Sequence, residues 1–373
     1  MKIGFIIIAV FILGSVLYGA NLFVIWTHQC LYNKEMTTMC YLIPVFILSY
    51  SILILLSRLF PCDQIYSALF TFFCVYLGYL LYIFLTAIVI RIIDACIDIS
   101  SSVGIPILYG LPGVICIYGI INALITKIIR INLKFPGYQG KTTILHLSDI
   151  HLGAIHQKGS VERIVRETKE INPDIVVITG DMADGTLKVK AEWLRPFDEL
   201  TMPILYVTGN HEEMNPKKDM INVVELTKIN YIGMHGRYKF NNINFIGEDY
   251  GHSLKECLTN VTQEEGVPNI LLYHVPNMKP EEIWRYNLFL VLAGHTHGGQ
   301  LFPIHLFAYL GNACFSGLYS DKEKMHHVFV SEGVNNNTPP MRVGCSRVFG
   351  LITIEGEWIY IKIFLSNNII YQP

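Results

Sequence analysis

The sequence predicts a multi-pass α-helical membrane region followed by an α/β domain, and three observations carry that prediction. Hydrophobic residues make up 52% of the 373-residue chain against 16% charged, an excess too large for an ordinary soluble protein. Nearly all the long apolar runs fall in residues 1–126. Beyond them, short β-branched runs alternate with amphipathic stretches, the rhythm of strand and helix in turn.

Four stretches reach the ~20 residues that a helix needs to cross a bilayer's hydrocarbon core. They run from Ile3 to Trp26, Tyr41 to Ser57, Ile65 to Ile90 and Ile105 to Thr126. The first has no small-residue cleavage site and three more follow it, so it reads as an uncleaved anchor rather than a secretory signal. Lys2, Arg58, Lys127, Arg130 and Lys134 fall on one side of this arrangement; the other has only Lys34 and Arg91, beside Glu35, Asp94 and Asp98. Positive charge resists translocation. The expectation is therefore a multi-pass cell-membrane protein whose N-terminus and catalytic domain face the cytoplasm. Nine cysteines without CxxC or metal spacing read as small buried hydrophobes. A net charge of -2 and no basic patch interleaved with aromatics argue against a nucleic-acid polymer as partner.

Residues 1–126 are thus expected to form a membrane module. Pro136, Gly137 and Gly140 in LKFPGYQGK mark 127–141 as a linker, and a globular domain is expected over 142–373. In that domain TTILHL, DIVVIT, ILYVT, INFIGED, NILLYH and LFLVLAG read as strands, and VERIVRETKEI and AEWLRPFDEL as helices. FGLITIEGEWIYIKIFL reads as a hairpin turning at Glu355 and Gly356.

Five of these strands end in metal-capable or titratable residues: Asp149 with His151, then Asp181, then Asn210 with His211, then His274, then His295 with His297. In α/β architectures the carboxyl ends of strands converge on one crevice. Residues two apart in extended chain point the same way, so Asp149 with His151, and His295 with His297, are each expected to offer two donors to one side. Gly180, Gly209, Gly294, Gly298 and Gly299 fit turns where backbone passes close to something bound. One such ending is an ordinary turn, but five in sequence point to a site.

The ordered set D-x-H, GD, GNH[E/D], H, GHxH resembles the calcineurin-like metallophosphoesterases. The extended GHTHGGQ (residues 294–300) resembles a bacterial branch of them with amino-terminal membrane segments. The resemblance spans Thr142 to the carboxyl terminus and implies two packed mixed β-sheets flanked by helices in a four-layer arrangement. It also implies two divalent metal ions, Mn, Fe or Zn, with Asp149, His151 and His297 on one, Asn210, His274 and His295 on the other, and Asp181 bridging. Imidazole with carboxylate and amide oxygens, and no thiolate, suits such metals. A carboxylate between two dications holds them ~3.5–4 Å apart, and the pair supplies hydroxide near neutral pH while offsetting charge on phosphoryl oxygens.

By the same resemblance His211 is the catalytic partner of the leaving oxygen, and Arg342 in PPMRVG a bidentate phosphate-binding residue. Asp184 and Asp249 are candidates to orient ligand imidazoles. His146, His156, His235, His252, His305, His326 and His327 are set aside as non-ligands. Where relatives continue with a proline and a glutamate before the last hairpin, this chain has GCSRVFG. The ligands are untouched by that departure, but it removes the warrant for transferring a substrate, since outlying loops choose the leaving group.

The expected function is a membrane-anchored phosphoesterase acting on a phosphodiester or lipid-linked substrate, with the bilayer as its other partner. One alternative is a pyrophosphate hydrolase acting on a nucleotide-linked acylated sugar, the substrate of some relatives. Another is a non-catalytic scaffold on the same fold, disfavoured because all seven donors and His211 are present.

Overall fold

The computed structural model describes residues 2–32, 63–214, 217–251, 255, 266–277, 279–286 and 288–357, with side chains of the first helix described from residue 14. The chain forms two compact units, Met1–Asn122 with Thr338–Val343, and Ala123–Asn337 with Gly344–Pro373.

The first unit is helical, with α1 (Lys2–Tyr32), α2 (Asp63–Asp94) and α3 (Ser101–Leu124). Among the described residues α2 and α3 are long and apolar enough to cross a membrane. Of the other two spans read from the sequence, Ile3 to Trp26 falls on α1, whose side chains are described only from residue 14, and Tyr41 to Ser57 lies outside the described residues. Val24, Leu31, Leu80, Ile83 and Leu108 pack between the helices, while Phe72, Val114 and Ile117 are more than 60% exposed. Apolar side chains on the outside suit a lipid solvent. Tyr76 donates to Asn21 Oδ1 at 2.9 Å, and Arg91 pairs with Asp94 at 2.5 Å while lying over the Trp26 ring at 4.7 Å.

Arg342 belongs to this helical unit. Its N–H donates to the Gly119 carbonyl at 2.9 Å, its carbonyl accepts from Asn122 Nδ2 at 3.1 Å, and its side chain is buried. Met341 lies against Gly78, and Met341 and Val343 lie against Gly119; a Cβ at Gly78 would meet Met341 at 2.5 Å, and one at Gly119 would meet Val343 at 2.9 Å and Met341 at 3.2 Å.

The second unit holds two six-stranded sheets. The first sheet has the order β1-β12-β2-β3-β4-β5, with β1 (Thr126–Pro136), β2 (Lys141–Leu147), β3 (Ile175–Thr179), β4 (Ile204–Val207), β5 (Ile229–Tyr231) and β12 (Arg347–Glu357). The second has the order β10-β11-β9-β8-β7-β6, with β6 (Arg237–Phe240), β7 (Ile243–Gly247), β8 (Asn269–Leu272), β9 (Leu290–Ala293), β10 (Gly317–Ser320) and β11 (His327–Val330). Both are mixed: β12 runs antiparallel to β2, and β6 and β10 are antiparallel edges on parallel centres.

The sheets pack face to face. Ile144, Val177 and Leu205 of the first meet Phe245, Ile270 and Leu292 of the second in one apolar layer. The alternate residues Leu145, Val176 and Tyr206 point outward under α4 (Lys158–Ile171), α5 (Lys217–Val224) and the Trp193–Phe197 turn. Strands buried on both faces read as continuous apolar runs, which is why β2, β3, β8 and β9 were visible in the sequence.

Two readings are corrected. Residues 127–141, expected as a linker, contain β1, whose Ile131 and Leu133 are buried and alternate with exposed residues; only the turn near Gly137 and Gly140 lies outside a strand. No hairpin turns at Glu355 and Gly356, because β12 runs straight through them, paired to β1 as far as Glu357. Gly356 is there for close approach rather than for a turn, since a Cβ would overlap the Tyr138 carbonyl.

Candidate metal centre

Every sequence-singled donor lies just past a parallel strand: Asp149 and His151 after β2, Asp181 after β3, Asn210 and His211 after β4, His274 after β8, and His295 and His297 after β9. The reason they converge is not the extended chain expected. Asp149 (φ 59), His151 (φ 49), Asp181 (φ 51), His295 (φ 74) and His297 (φ 51) all occupy the left-handed region, which side-chain-bearing residues adopt at a cost when surroundings over-determine it. Hydrogen bonds between loops impose it. Asp149 N–H donates to the Gly180 carbonyl at 3.2 Å, His151 N–H to the Asp181 carbonyl at 2.9 Å, and Gly294 N–H to the His274 carbonyl at 2.9 Å.

The donors form two sets sharing a carboxylate. In the first, His151 Nε2 and His297 Nε2 are 2.9 Å apart, and Asp149 Oδ1 lies 3.3 Å from His297 Nε2 and 3.8 Å from His151 Nε2. In the second, Asn210 Oδ1 lies 2.7 Å from His295 Nδ1 and 3.0 Å from His274 Nε2. Asp181 Oδ2 reaches both, at 3.2 Å from His274 Nε2 and 3.7 Å from His151 Nε2. Two donors each about 2.1 Å from one ion and at right angles to it stand about 3 Å apart, so these separations fit a shared cation.

The electrostatics fit as well. Burial pushes His151 down to about 3 and His295 down to about 4, leaving neutral imidazoles with lone pairs to give. Burial also raises the Asp149 carboxyl, to which the nearby Asp181 charge adds. Burial opposes ionisation of Asp181 too, but His274, His151 and His211 outweigh it and hold that carboxyl well below its usual range. His274 answers in kind: despite burial, Asp181 and then Asp149 raise it to about 10. A cation coordinated here would replace the proton that these carboxylates hold on His274.

His211 stands at the rim, its side chain 13% exposed. Its N–H donates to Asp181 Oδ1 at 2.9 Å, its Nδ1 lies 3.1 Å from the Asp184 carbonyl, and its Nε2 lies 3.3 Å from Asn337 Nδ2 and 4.0 Å from Asp181 Oδ2. A ring nitrogen facing a carbonyl carries the hydrogen, so Nε2 of the neutral ring is the acceptor, facing the Asn337 amide, and proton donation from it requires the imidazolium form.

Several supporting residues were missed in the sequence. Buried Glu212 accepts from three backbone N–H groups, of Asp181 at 3.0 Å, Ala183 at 2.9 Å and Gly209 at 2.6 Å, tying the loops after β3 and β4 together. Burial, with Asp181 nearby, raises its carboxyl to about 7. Asn335, past β11, donates its N–H to the Asp149 carbonyl at 3.1 Å and its amide to the Ile150 carbonyl at 2.6 Å. The Gln300 side chain exchanges two hydrogen bonds with the Asn337 backbone, at 2.9 and 3.1 Å.

Among the described residues neither aspartate considered for orienting imidazoles does so with its carboxylate; Asp184 meets His211 through its backbone carbonyl. Asp184 accepts from Thr186 N–H and Oγ1 at 2.6 Å each, and Asp249 from Thr208 N–H and Oγ1 at 3.0 and 2.8 Å. A backbone group does that work instead, the Thr179 carbonyl 2.7 Å from His274 Nδ1. Of the histidines set aside, His146 faces Thr179 Oγ1, His156 the Asn336 carbonyl, His235 Glu248, His326 the Leu288 carbonyl and His327 Ser320. His252 lies outside the described residues.

Gly294 tests the tightness of this packing, because a Cβ there would overlap Ser148 Oγ and Asp149 Oδ2. Gly294→Ala is expected to keep the fold, read by circular dichroism, while weakening metal binding about 10–100-fold, the range seen when a ligand loses its support. Unchanged metal affinity by titration would contradict the geometry.

Such donors at the strand ends of a two-sheet sandwich define a protein built around divalent metal. A model of the calcineurin-like phosphoesterases matches residues 142–299. An uncharacterized metallophosphoesterase of Aquifex aeolicus is 31% identical over 237 residues, 57% of this chain and 85% of the relative. A metallophosphoesterase of Caenorhabditis elegans is 31% identical over 249 residues (59% and 50%), and a transmembrane protein with metallophosphoesterase domain from Danio rerio is 29% identical over 259 residues (62% and 58%). This chain spans about half the length of the last two. The chain belongs to the calcineurin-like metallophosphoesterase family. Its relatives point to metal-dependent phosphoesterase chemistry, and the transmembrane relative together with α2 and α3 points to membrane association.

Proposed function

We propose that the chain is a membrane-anchored phosphoesterase with a dinuclear metal centre, acting on a phosphodiester or lipid-linked substrate. The observation that carries this reading is the convergence of seven buried or half-buried donors from five strand ends around Asp181, which reaches His274 on one side and His151 on the other; His211 also comes within a cation's reach of His151 and Asp181. Asp149, His151 and His297 would hold one ion, and Asn210, His274 and His295 the other. Two such ions supply a nucleophile near neutral pH and neutralise charge on phosphoryl oxygens. The chain's own residues do the rest. Neutral His151 and His295 present lone pairs, Glu212 and Asn335 hold the loops at coordinating distance, and His211 turns Nε2 toward the departing oxygen. Purified protein with Mn²⁺, screened against phosphate monoesters and diesters including lipid-linked ones, tests the reading. Full-rate hydrolysis by EDTA-treated protein shown to be metal-free would overturn it.

The membrane module is proposed as residues 1–126 and the catalytic domain as 142–373, joined through β1. The Lys and Arg asymmetry supports a cytoplasmic catalytic domain on a multi-pass anchor. A carboxyl-terminal reporter is accordingly expected to be active only inside the cell, and activity of an export-dependent reporter would reverse the orientation. An anchored catalytic domain meets lipid-borne phosphoesters at high effective concentration, which favours them over soluble ones.

A further inference from the structure

Residues 286–320 contain no Asp, Glu, Lys or Arg. In their middle lies α6 (His305–Gly311), a helix of sequence HLFAYLG with none of its residues buried. Leu310 is 80% exposed, Phe307 74% and Tyr309 62%, and Phe302, Leu306 and Ile304 are each between 43% and 54%. A helix apolar around its whole circumference belongs in a core or in lipid. Left in water, these side chains forfeit the transfer free energy that burial supplies. A contiguous surface of this kind on a folded domain marks an interaction site.

Three observations commit the occupant to a lipid surface. The same chain carries α2 and α3, which are long and apolar enough to cross a membrane, so a bilayer is the apolar phase their tether would offer this domain. The exposed set is aliphatic and aromatic, includes a tyrosine with a polar tip, and sits in a segment, 286–320, without a charged residue; protein interfaces favour arginine and a polar rim, whereas interfacial membrane elements pair Leu and Phe with interface-seeking aromatics. Finally, the helix is built onto the donor loop. The turn His297–Gly298–Gly299 rests on its first residue, so closely that a Cβ on Gly299 (φ 72) would overlap the His305 backbone. The match to the family model ends at residue 299, so this apolar segment lies beyond it.

We infer that Phe302–Leu310 is an interfacial lip that dips into the bilayer surface and seats the candidate metal centre at the level of lipid headgroups. The insertion stands on exposure and composition; only its purpose, presenting phosphoester headgroups to the histidine cluster, rests on the phosphoesterase reading. The full chain is reconstituted into phosphatidylcholine vesicles containing phosphatidylglycerol and a phosphatidylcholine with a mid-chain diazirine. After photolysis, lipid adducts are mapped by peptide mass spectrometry. Adducts are expected on residues 302–311 as well as on the α2 peptide, which serves as the internal standard. The double variant Phe307→Glu/Leu310→Glu is expected to lose the 302–311 adducts at least about tenfold while keeping those on α2. Labelling of α2 without 302–311 in the parent chain would overturn the lip, as would undiminished 302–311 labelling in the variant. Hydrolysis of soluble bis(p-nitrophenyl) phosphate, measured in parallel, separates the two ideas: a parent chain with lipid adducts on 302–311 and no hydrolysis with any divalent metal leaves the lip standing and removes the phosphoesterase reading.

Discussion

Replacing Asp181 by asparagine is expected to cut metal-dependent hydrolysis of a phosphodiester by at least about a thousandfold, the equivalent of several kcal/mol of transition-state stabilisation. The substitution keeps the side chain's size and removes its charge at the one carboxylate that reaches both donor sets. Asp181 Oδ2 faces His274 at 3.2 Å and His151 at 3.7 Å, and an amide offers such neighbours an N–H or a weaker oxygen. Metal analysis should therefore find close to two ions per chain in the parent and fewer in the variant. His295→Ala should behave alike by removing a donor 2.7 Å from Asn210 Oδ1. Folding is a separate question. Burial opposes ionisation of Asp181, but His274, His151 and His211 outweigh it and hold the carboxylate charged, so the metal-free variant is expected to melt lower as His274 loses its partner, and circular dichroism at the assay temperature separates a folded, inactive variant from an unfolded one. An Asp181→Asn chain that held two ions and worked at the parental rate would defeat the shared-carboxylate reading.

The convergence of the seven candidate donors was legible because they are metal-capable residues set directly after β-branched runs, and a strand end is one of the few places where sequence adjacency translates into a common location. The manner of their convergence was not legible. Left-handed backbone at Asp149 and His151 is imposed by carbonyls of Gly180 and Asp181 from another loop, and no local pattern announces partners so far along the chain. Glu212 sits in the same GNHE stretch as Asn210, yet its three partners are backbone N–H groups, which leave no mark on composition. Asn335 and Asn337 likewise act through backbone hydrogen bonds, to the Asp149 carbonyl and the Gln300 side chain. By contrast β1 was readable. Ile129, Ile131, Leu133 and Phe135 alternate with Arg130, Asn132 and Lys134, a period of two that basic residues next to a membrane span disguise as topology signals. Gly356 misled in the opposite direction, since a glycine needed for close approach to Tyr138 is written with the same letter as a glycine in a turn.

His211→Ala should separate that residue from the donors, because its surroundings give it a different task. Its Nδ1 is engaged by the Asp184 carbonyl at 3.1 Å, and its Nε2 stays 4.0 Å from Asp181 Oδ2, with Asn337 Nδ2 at 3.3 Å. By comparison His151 and His297 bring Nε2 atoms to 2.9 Å of each other, as two ligands of one ion do. The variant should thus keep both ions while the rate on an alkyl phosphodiester falls by ~10²–10⁴, the range of general acid catalysis. The leaving group decides the size of the loss. An alkoxide needs a proton as it departs and nitrophenolate does not, so a nitrophenyl ester should suffer far less than an alkyl one. The same comparison distinguishes a structural role, which would lower both rates by one factor. Loss of a metal ion in the variant, or equal losses on the two esters, would reject the proton-donor assignment and move His211 into the coordination shell or its support.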